Sequence, residues 1–297
     1  MLSKILIYKM KRQFLLLLFA FVLIISSQAQ HDTIRVIVFG AHPDDCDLTT
    51  GGTAIKYARM GHKVKFVSMT NGDAGHQSMG GGALAKRRME EAKEAGRWFG
   101  IEYEVMDNHD GELMPTLENR LKVIREIRNW NADIVITHRS DDYHPDHRYT
   151  SILVQDASFM VIVPNIAPDT PPLKKNPVFF YFESSEPDIA VDIDNEQAQK
   201  VYAVSAHESQ FFEWLPWLRG ALDEIPKSKE ERLAYLKTRF SSPGETERAC
   251  LKKWYGEPHA SKVMNVETFQ ISEFGSQPDH EELLKLFPFL GNNEARK

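Results

Sequence analysis

The chain has 297 residues and a mass of 34.0 kDa, with 36 Lys and Arg against 42 Asp and Glu, a net charge of −6. At 42% hydrophobic and 26% charged residues, the composition is that of a globular protein, which excludes a disordered chain, a collagen-like chain and a disulfide-rich mini-protein. The acidic balance argues against general nucleic-acid binding, which needs a basic face, and the length allows one large domain or two small ones.

The first thirty residues contain no acid. They carry Lys4, Lys9, Lys11 and Arg12, then an apolar run from Phe14 to Ile25 and a small polar end, Ser26-Ser27-Gln28-Ala29. The run is shorter than the ~20 residues of a membrane span, and the layout is that of a secretory leader over residues 1–30. The alternative is a buried N-terminal helix. Cleavage near Gln30 would remove those four basic residues, leaving −10 in place of −6. The protein is then expected outside the cytoplasm, with no stable membrane anchor after cleavage. Cys46 and Cys250 read more readily as buried free thiols than as a disulfide.

Beyond residue 33 apolar runs alternate with amphipathic segments. Ile34–Phe39, Val64–Met69, Glu102–Met106 and Ile134–Thr137 read as strands. Thr49–Met60, Ala83–Phe99, Leu117–Trp130 and a segment from about Asp146 read as helices, with Gly100 capping the second. Pro164–Pro177 reads as an irregular excursion near the site, and Val178–Phe182 and Ile189–Ile193 as further strands. Glu196–Phe212 looks helical, and Val266–Ile271 is a plausible late strand. The alternation predicts an α/β fold, a Rossmann-like three-layer α/β/α sandwich with a mainly parallel sheet. Residues 31–213 would form the core and 214–297 an extension packed on it. Gly80-Gly81-Gly82 does not directly follow a strand and reads as a flexible loop rather than a dinucleotide site.

The first strand runs into His42-Pro43-Asp44-Asp45, and the fourth into His138 and then Asp141-Asp142-Tyr143-His144-Pro145-Asp146-His147. Both clusters lie just past a strand's carboxyl end, where ligands sit in this fold class, so distance in sequence does not keep them apart. His and Asp without thiolate suit a nitrogen/oxygen metal site, most simply zinc with a position open to water. His144 and His147 are three apart at a helix start that Pro145 can open, so both rings fall on one side of the first turn.

His42-Pro43-Asp44-Asp45 and His144-Pro145-Asp146-His147 resemble the two signature motifs of the zinc-dependent LmbE-like, or PIG-L-like, N-acetylglucosaminyl deacetylases. The resemblance runs over roughly residues 34–210. It includes Thr70-Asn71-Gly72-Asp73-Ala74-Gly75, Arg88-Met89-Glu90-Glu91, Asp110-Gly111-Glu112-Leu113 and Ala206-His207-Glu208-Ser209-Gln210. It implies that His42, Asp45 and His147 bind Zn2+ and that Asp44 is the general base. It also implies that His144 stabilises the oxyanion or protonates the leaving amine, with Asp146 holding its ring and raising its pKa. Arg88 and Asp110 would contact the sugar. The ligand set also tolerates Fe2+, manganese or cobalt. The implied reaction is removal of an N-acetyl group from an N-acetylglucosamine-type sugar or glycoconjugate. The implied partner is a small carbohydrate and no nucleic acid; no oligomeric state follows.

Rival readings are the hydrolysis of another amide or a phosphoester, or a catalytically silent carbohydrate-binding protein. Cys46 stands where that family usually has Glu. His207 reads as a packing residue, and His138 as a strand-end residue beside the site. Phe211, Phe212, Trp214 and Trp217 read as core packing, with a sugar-stacking wall as the alternative.

Overall fold

The structure is a computed structural model that describes residues 33–291; the expected leader lies outside them. The elements that position the site begin with β1 (Arg35–Gly40), α1 (Asp45–Arg59), β2 (Lys63–Ser68), α2 (Gly81–Phe99) and β3 (Glu102–Val105). They continue with α3 (Leu117–Trp130), β4 (Ile134–Thr137), α4 (Pro145–Met160), β5 (Val178–Phe182), β6 (Ile189–Asp192) and α5 (Gln197–Val204). A π-helical stretch, Ser209–Trp214, runs into the short α6 (Leu215–Leu218). After α7 (Lys229–Lys237), α8 (Glu245–Tyr255) and α9 (Glu257–Ala260) come β7 (Val266–Gly275) and α10 (His280–Leu286).

The seven strands form one sheet in the order β3-β2-β1-β4-β5-β7-β6. β1 to β5 are parallel, and β7 runs antiparallel to both its neighbours. Side chains alternate across the strand, so Val36 and Val38 enter one core and Ile37 and Phe39 the other. The first core takes Ile55 and Tyr57 of α1, Phe99 of α2 and Val201 of α5; the second takes Val123 and Ile127 of α3 and Leu153 and Val154 of α4. Helices therefore cover both faces, as the continuous apolar runs require. Cys46 and Cys250 are buried free thiols. Among the described residues no helix is long and apolar enough to cross a membrane.

Several boundaries move. α1 begins at Asp45, four residues before the expected Thr49, because acidic residues suit the positive end of a helix dipole. The expected helix Glu196–Phe212 is instead α5 followed by a separate π-helical segment. Gly80–Gly82 opens α2, with Gly80 as its N-cap, rather than forming a free loop. The Pro-rich stretch lies at the sheet end away from the site. Arg128 gathers the carbonyls of Val161, Val163, Ile166 and Thr170, and Val178 N–H bonds Asp133 O where β5 starts. The boundary expected at 213/214 falls inside the π-helical segment. Beyond it the chain does more than pack on the core, because β7 is woven into the sheet between β5 and β6.

Candidate metal centre and active site

β1 and β4 are adjacent parallel strands, Phe39 opposite Thr137, so both motif loops leave the same sheet edge side by side. His42 Nδ1, Asp45 Oδ2 and His147 Nε2 form a triangle with sides of 3.3, 3.5 and 3.6 Å. Three zinc ligands at the corners of a tetrahedron of radius about 2.1 Å would be roughly 3.4 Å apart. The spacing and the nitrogen/oxygen donor set fit a small dication with one open position. His144 joins His42 and His147 in a second potential ligand group, and His138 joins Asp45 and His147 in a third.

Each of these groups is held by its neighbours. Asp45 Oδ2 accepts the N–H groups of Ala41 (2.9 Å) and His42 (2.7 Å), which pins the loop to the first turn of α1. Three carboxylates surround His42: its Nε2 lies 3.1 Å from Asp110 and 3.3 Å from Asp146, and its Nδ1 faces Asp45. Burial works to lower the His42 pKa, but those carboxylates carry it well above its ordinary value. This is the imbalance that a cation at the centre would take up. His147 Nδ1 lies 3.0 Å from the buried carboxylate of Asp142.

Asp44 is 8% exposed. Burial pushes its carboxyl up to about 6 against the pull of Arg88, and the nearby Asp45 adds to the rise. Arg88 is not a solvated helix charge: it is 1% exposed, with its guanidinium 3.5 Å from Asp44 Oδ1 and 3.8 Å from Asp110 Oδ2. It donates to Gly72 O at 3.2 Å. Gly72 has φ +68° and a Cβ there would lie 2.3 Å from Arg88 Nη1, so both backbone and space require glycine.

Asp146 differs from its expected contact. Its carboxylate accepts the N–H groups of Gly111 (2.7 Å) and Leu113 (3.2 Å) and faces His42, while only its backbone N–H reaches His144 Nδ1, at 3.2 Å. A carboxylate at the helix N-terminus is better satisfied by two loop amides than by the ring of the capping residue. It therefore orients His42 and the Asp110 loop. Burial, with His42 and His147 close by, holds the His144 pKa below its ordinary value.

Two supporting residues have roles that the sequence alone does not show. Asp142 lies 3.0 Å from His147 Nδ1 without a hydrogen bond to it, and accepts the His144 N–H at 3.0 Å. His138 stacks on His147 with centroids 4.1 Å apart and lies 3.2 Å from Asp45 Oδ2. A carboxylate just upstream of a candidate metal-ligating His is a readable signal for the first; the strand-end position is the only signal for the second. His207 is fully buried, 2.8 Å from Asp47 Oδ1, and so packs and braces as expected. Asp47 also accepts the Tyr103 hydroxyl at 2.7 Å.

A doubly covered, mainly parallel sheet with an imidazole–carboxylate cluster at its carboxyl edge defines an α/β protein built around a candidate metal centre. Residues 37–158 match the PIG-L family profile, described as GlcNAc-PI de-N-acetylase. A diacetylchitobiose deacetylase of Thermococcus kodakarensis is 32% identical over 207 residues, covering 64% of this chain and 76% of that protein. The chain belongs to the PIG-L family. The solved N,N'-diacetylchitobiose deacetylase of Pyrococcus horikoshii, complexed with an inhibitor, is 26% identical with a TM-score of 0.63, covering 82% of this chain and 85% of that one. A 4-carboxy-2-hydroxymuconate hydratase of Pseudomonas putida also has a TM-score of 0.63, at 18% identity over 83% of this chain and 99% of that one. It shares the fold alone, so fold does not assign the reaction; the side chains at the sheet edge must.

Proposed function

We propose that this protein hydrolyses the N-acetyl amide of an N-acetylglucosamine-type sugar or short glycoside, with a divalent ion, most simply Zn2+, held by His42, Asp45 and His147. The observation that carries the reading is the placement of Asp44. It is a buried carboxyl raised to about 6, directly beside a three-ligand cluster. Such a group can accept a proton near neutral pH and give it up again. The two diacetylchitobiose deacetylases among the relatives support the substrate class.

Amide hydrolysis needs a nucleophile, an oxyanion donor and a proton for the amine. When bound, zinc would supply Lewis acidity, making water acidic enough to lose a proton near neutral pH. Asp44 takes that proton and returns it to the departing nitrogen. His144 Nδ1 is engaged by the Asp146 N–H, so the neutral ring carries its proton on Nε2, a donor for the oxyanion. The lowered His144 pKa favours this role over that of the acid. Arg88 and Asp110 present a donor and an acceptor beside Asp44 for sugar hydroxyls.

Acetate release from a panel of N-acetylated sugars by zinc-reconstituted protein tests the reading. Asp44→Asn should lower turnover about 10²- to 10⁴-fold with zinc content unchanged. Wild-type-like acetate release by that variant would overturn the general-base role, and turnover of phosphodiesters with no acetate release from the sugars would reassign the reaction. The leader-like residues 1–30 support an extracytoplasmic location. Expression in a bacterial host should yield exported protein with a new N-terminus near residue 31; uncleaved protein confined to the cytosol would refute it.

A further inference from the structure

We infer that Trp214 and Trp217 form an aromatic platform that holds a second sugar ring, next to the one whose amide is cut. The inference rests on the proposed function, and it identifies the preferred substrate as an oligosaccharide or glycoside of at least two rings.

The platform is joined to the catalytic floor through Gly75. The φ of Gly75 lies outside the left-handed region, so its backbone does not call for glycine. The space around it does: a Cβ there would crowd Asp110 Oδ2 at 3.2 Å and Arg88 Nη1 at 3.3 Å, and would touch Trp214 Nε1 at 3.7 Å. Asp110 is in turn 3.1 Å from His42. The metal-side carboxylate, the buried guanidinium and an indole N–H therefore converge on one glycine. That N–H has no protein acceptor among the described residues, which leaves a free donor at the mouth of the site.

From there the aromatic surface runs outward. The Trp214 and Trp217 rings stack with centroids 5.3 Å apart and planes 13° from parallel. Trp217 is 48% exposed, which a core residue would not be. Trp217 stacks on Trp214 yet keeps about half of its surface in solvent, and the C–H face of a pyranose packs on an exposed indole of this kind. The pair is also fixed in place. The Glu213 carboxylate is bound by Arg87 at 2.6 and 2.8 Å and by His76 at 2.7 Å, and Gln210 donates to Gly75 O at 3.1 Å. These bonds tie the π-helical segment to the loop that carries Gly75, so the indoles are presented on a rigid support. π-helical turns of this kind recur at functional sites.

The test compares kcat/KM for N-acetylglucosamine and N,N'-diacetylchitobiose in zinc-reconstituted wild-type protein, Trp217→Ala, Trp217→Phe and Trp214→Phe. In Trp217→Ala the disaccharide-to-monosaccharide ratio should fall about tenfold, mostly through KM, with the melting temperature unchanged; Trp217→Phe should recover most of it. Equal losses on both sugars, or none, would overturn the platform. If wild-type protein deacetylates neither sugar, the proposed function fails and the platform is judged by binding alone. In saturation-transfer NMR, wild-type protein should then pass magnetisation to the ring protons of N,N'-diacetylchitobiose, and Trp217→Ala should not. Equal transfer from both proteins would refute the platform.

Discussion

Asp142 is buried beside His147, on the side of the ring away from Asp45. With Nδ1 turned to the carboxylate at 3.0 Å, Nε2 is the atom 3.6 Å from Asp45 Oδ2. Removing the charge while keeping the shape should loosen the ring's orientation. Asp142→Asn is expected to lower zinc affinity about 10- to 100-fold with the fold intact. Competition against a chelator measures this, and unchanged affinity would assign Asp142 to capping the His144 turn alone. The residue types at the centre are legible in sequence because two clusters of His and Asp each follow an apolar strand. Their pairing is not. The family resemblance assigns Asp146 to His144, its neighbour two residues back, but the folded chain brings Gly111 and Leu113 to it instead. Contacts made by a loop some thirty residues away leave no mark in local spacing.

α1 carries Asp45 at its start and is held at its middle by an unusual contact. Glu267 of β7 accepts the N–H groups of Gly52 and Thr53, both at 2.7 Å, and Lys200 of α5 donates to Leu48 O at 2.6 Å. Lys200 and Glu267 are themselves paired at 2.7 Å and almost fully buried. The pair thus stands in for part of the helix's own ladder and fastens three elements together. Glu267→Ala would strand a buried ammonium and two amide donors, and should cost about 3–5 kcal/mol in chemical denaturation. The double change Lys200→Met with Glu267→Met should recover much of that loss, and a loss greater than that of the single variant would show the charges to be needed for the fold. At this scale the sequence is legible where one signal dominates. Leu117–Trp130, Ile134–Thr137 and Val178–Phe182 have the expected bounds because apolar periodicity alone defines them. It fails where polar chemistry overrides periodicity, at the acidic first turn of α1 and at the change of helical pitch after His207.

For the whole molecule, the fold class is legible because alternating strands and helices admit few arrangements. The place of β7 is not, since a strand's partner is a long-range property that composition does not encode. Among the described residues β6 pairs with β7 alone, and β7 reaches β5 across some ninety residues of sequence. This wiring has a consequence for biogenesis. Until residues 266–275 have been made, β5 is an open edge, β6 has no partner, and Glu267 cannot reach α1. The sheet is completed only when nearly the whole chain is available, because the closing contacts are the ones of longest loop. The last strand therefore acts as a timer: the corner that carries Asp45 at the start of α1 stays unfastened until the chain is nearly complete.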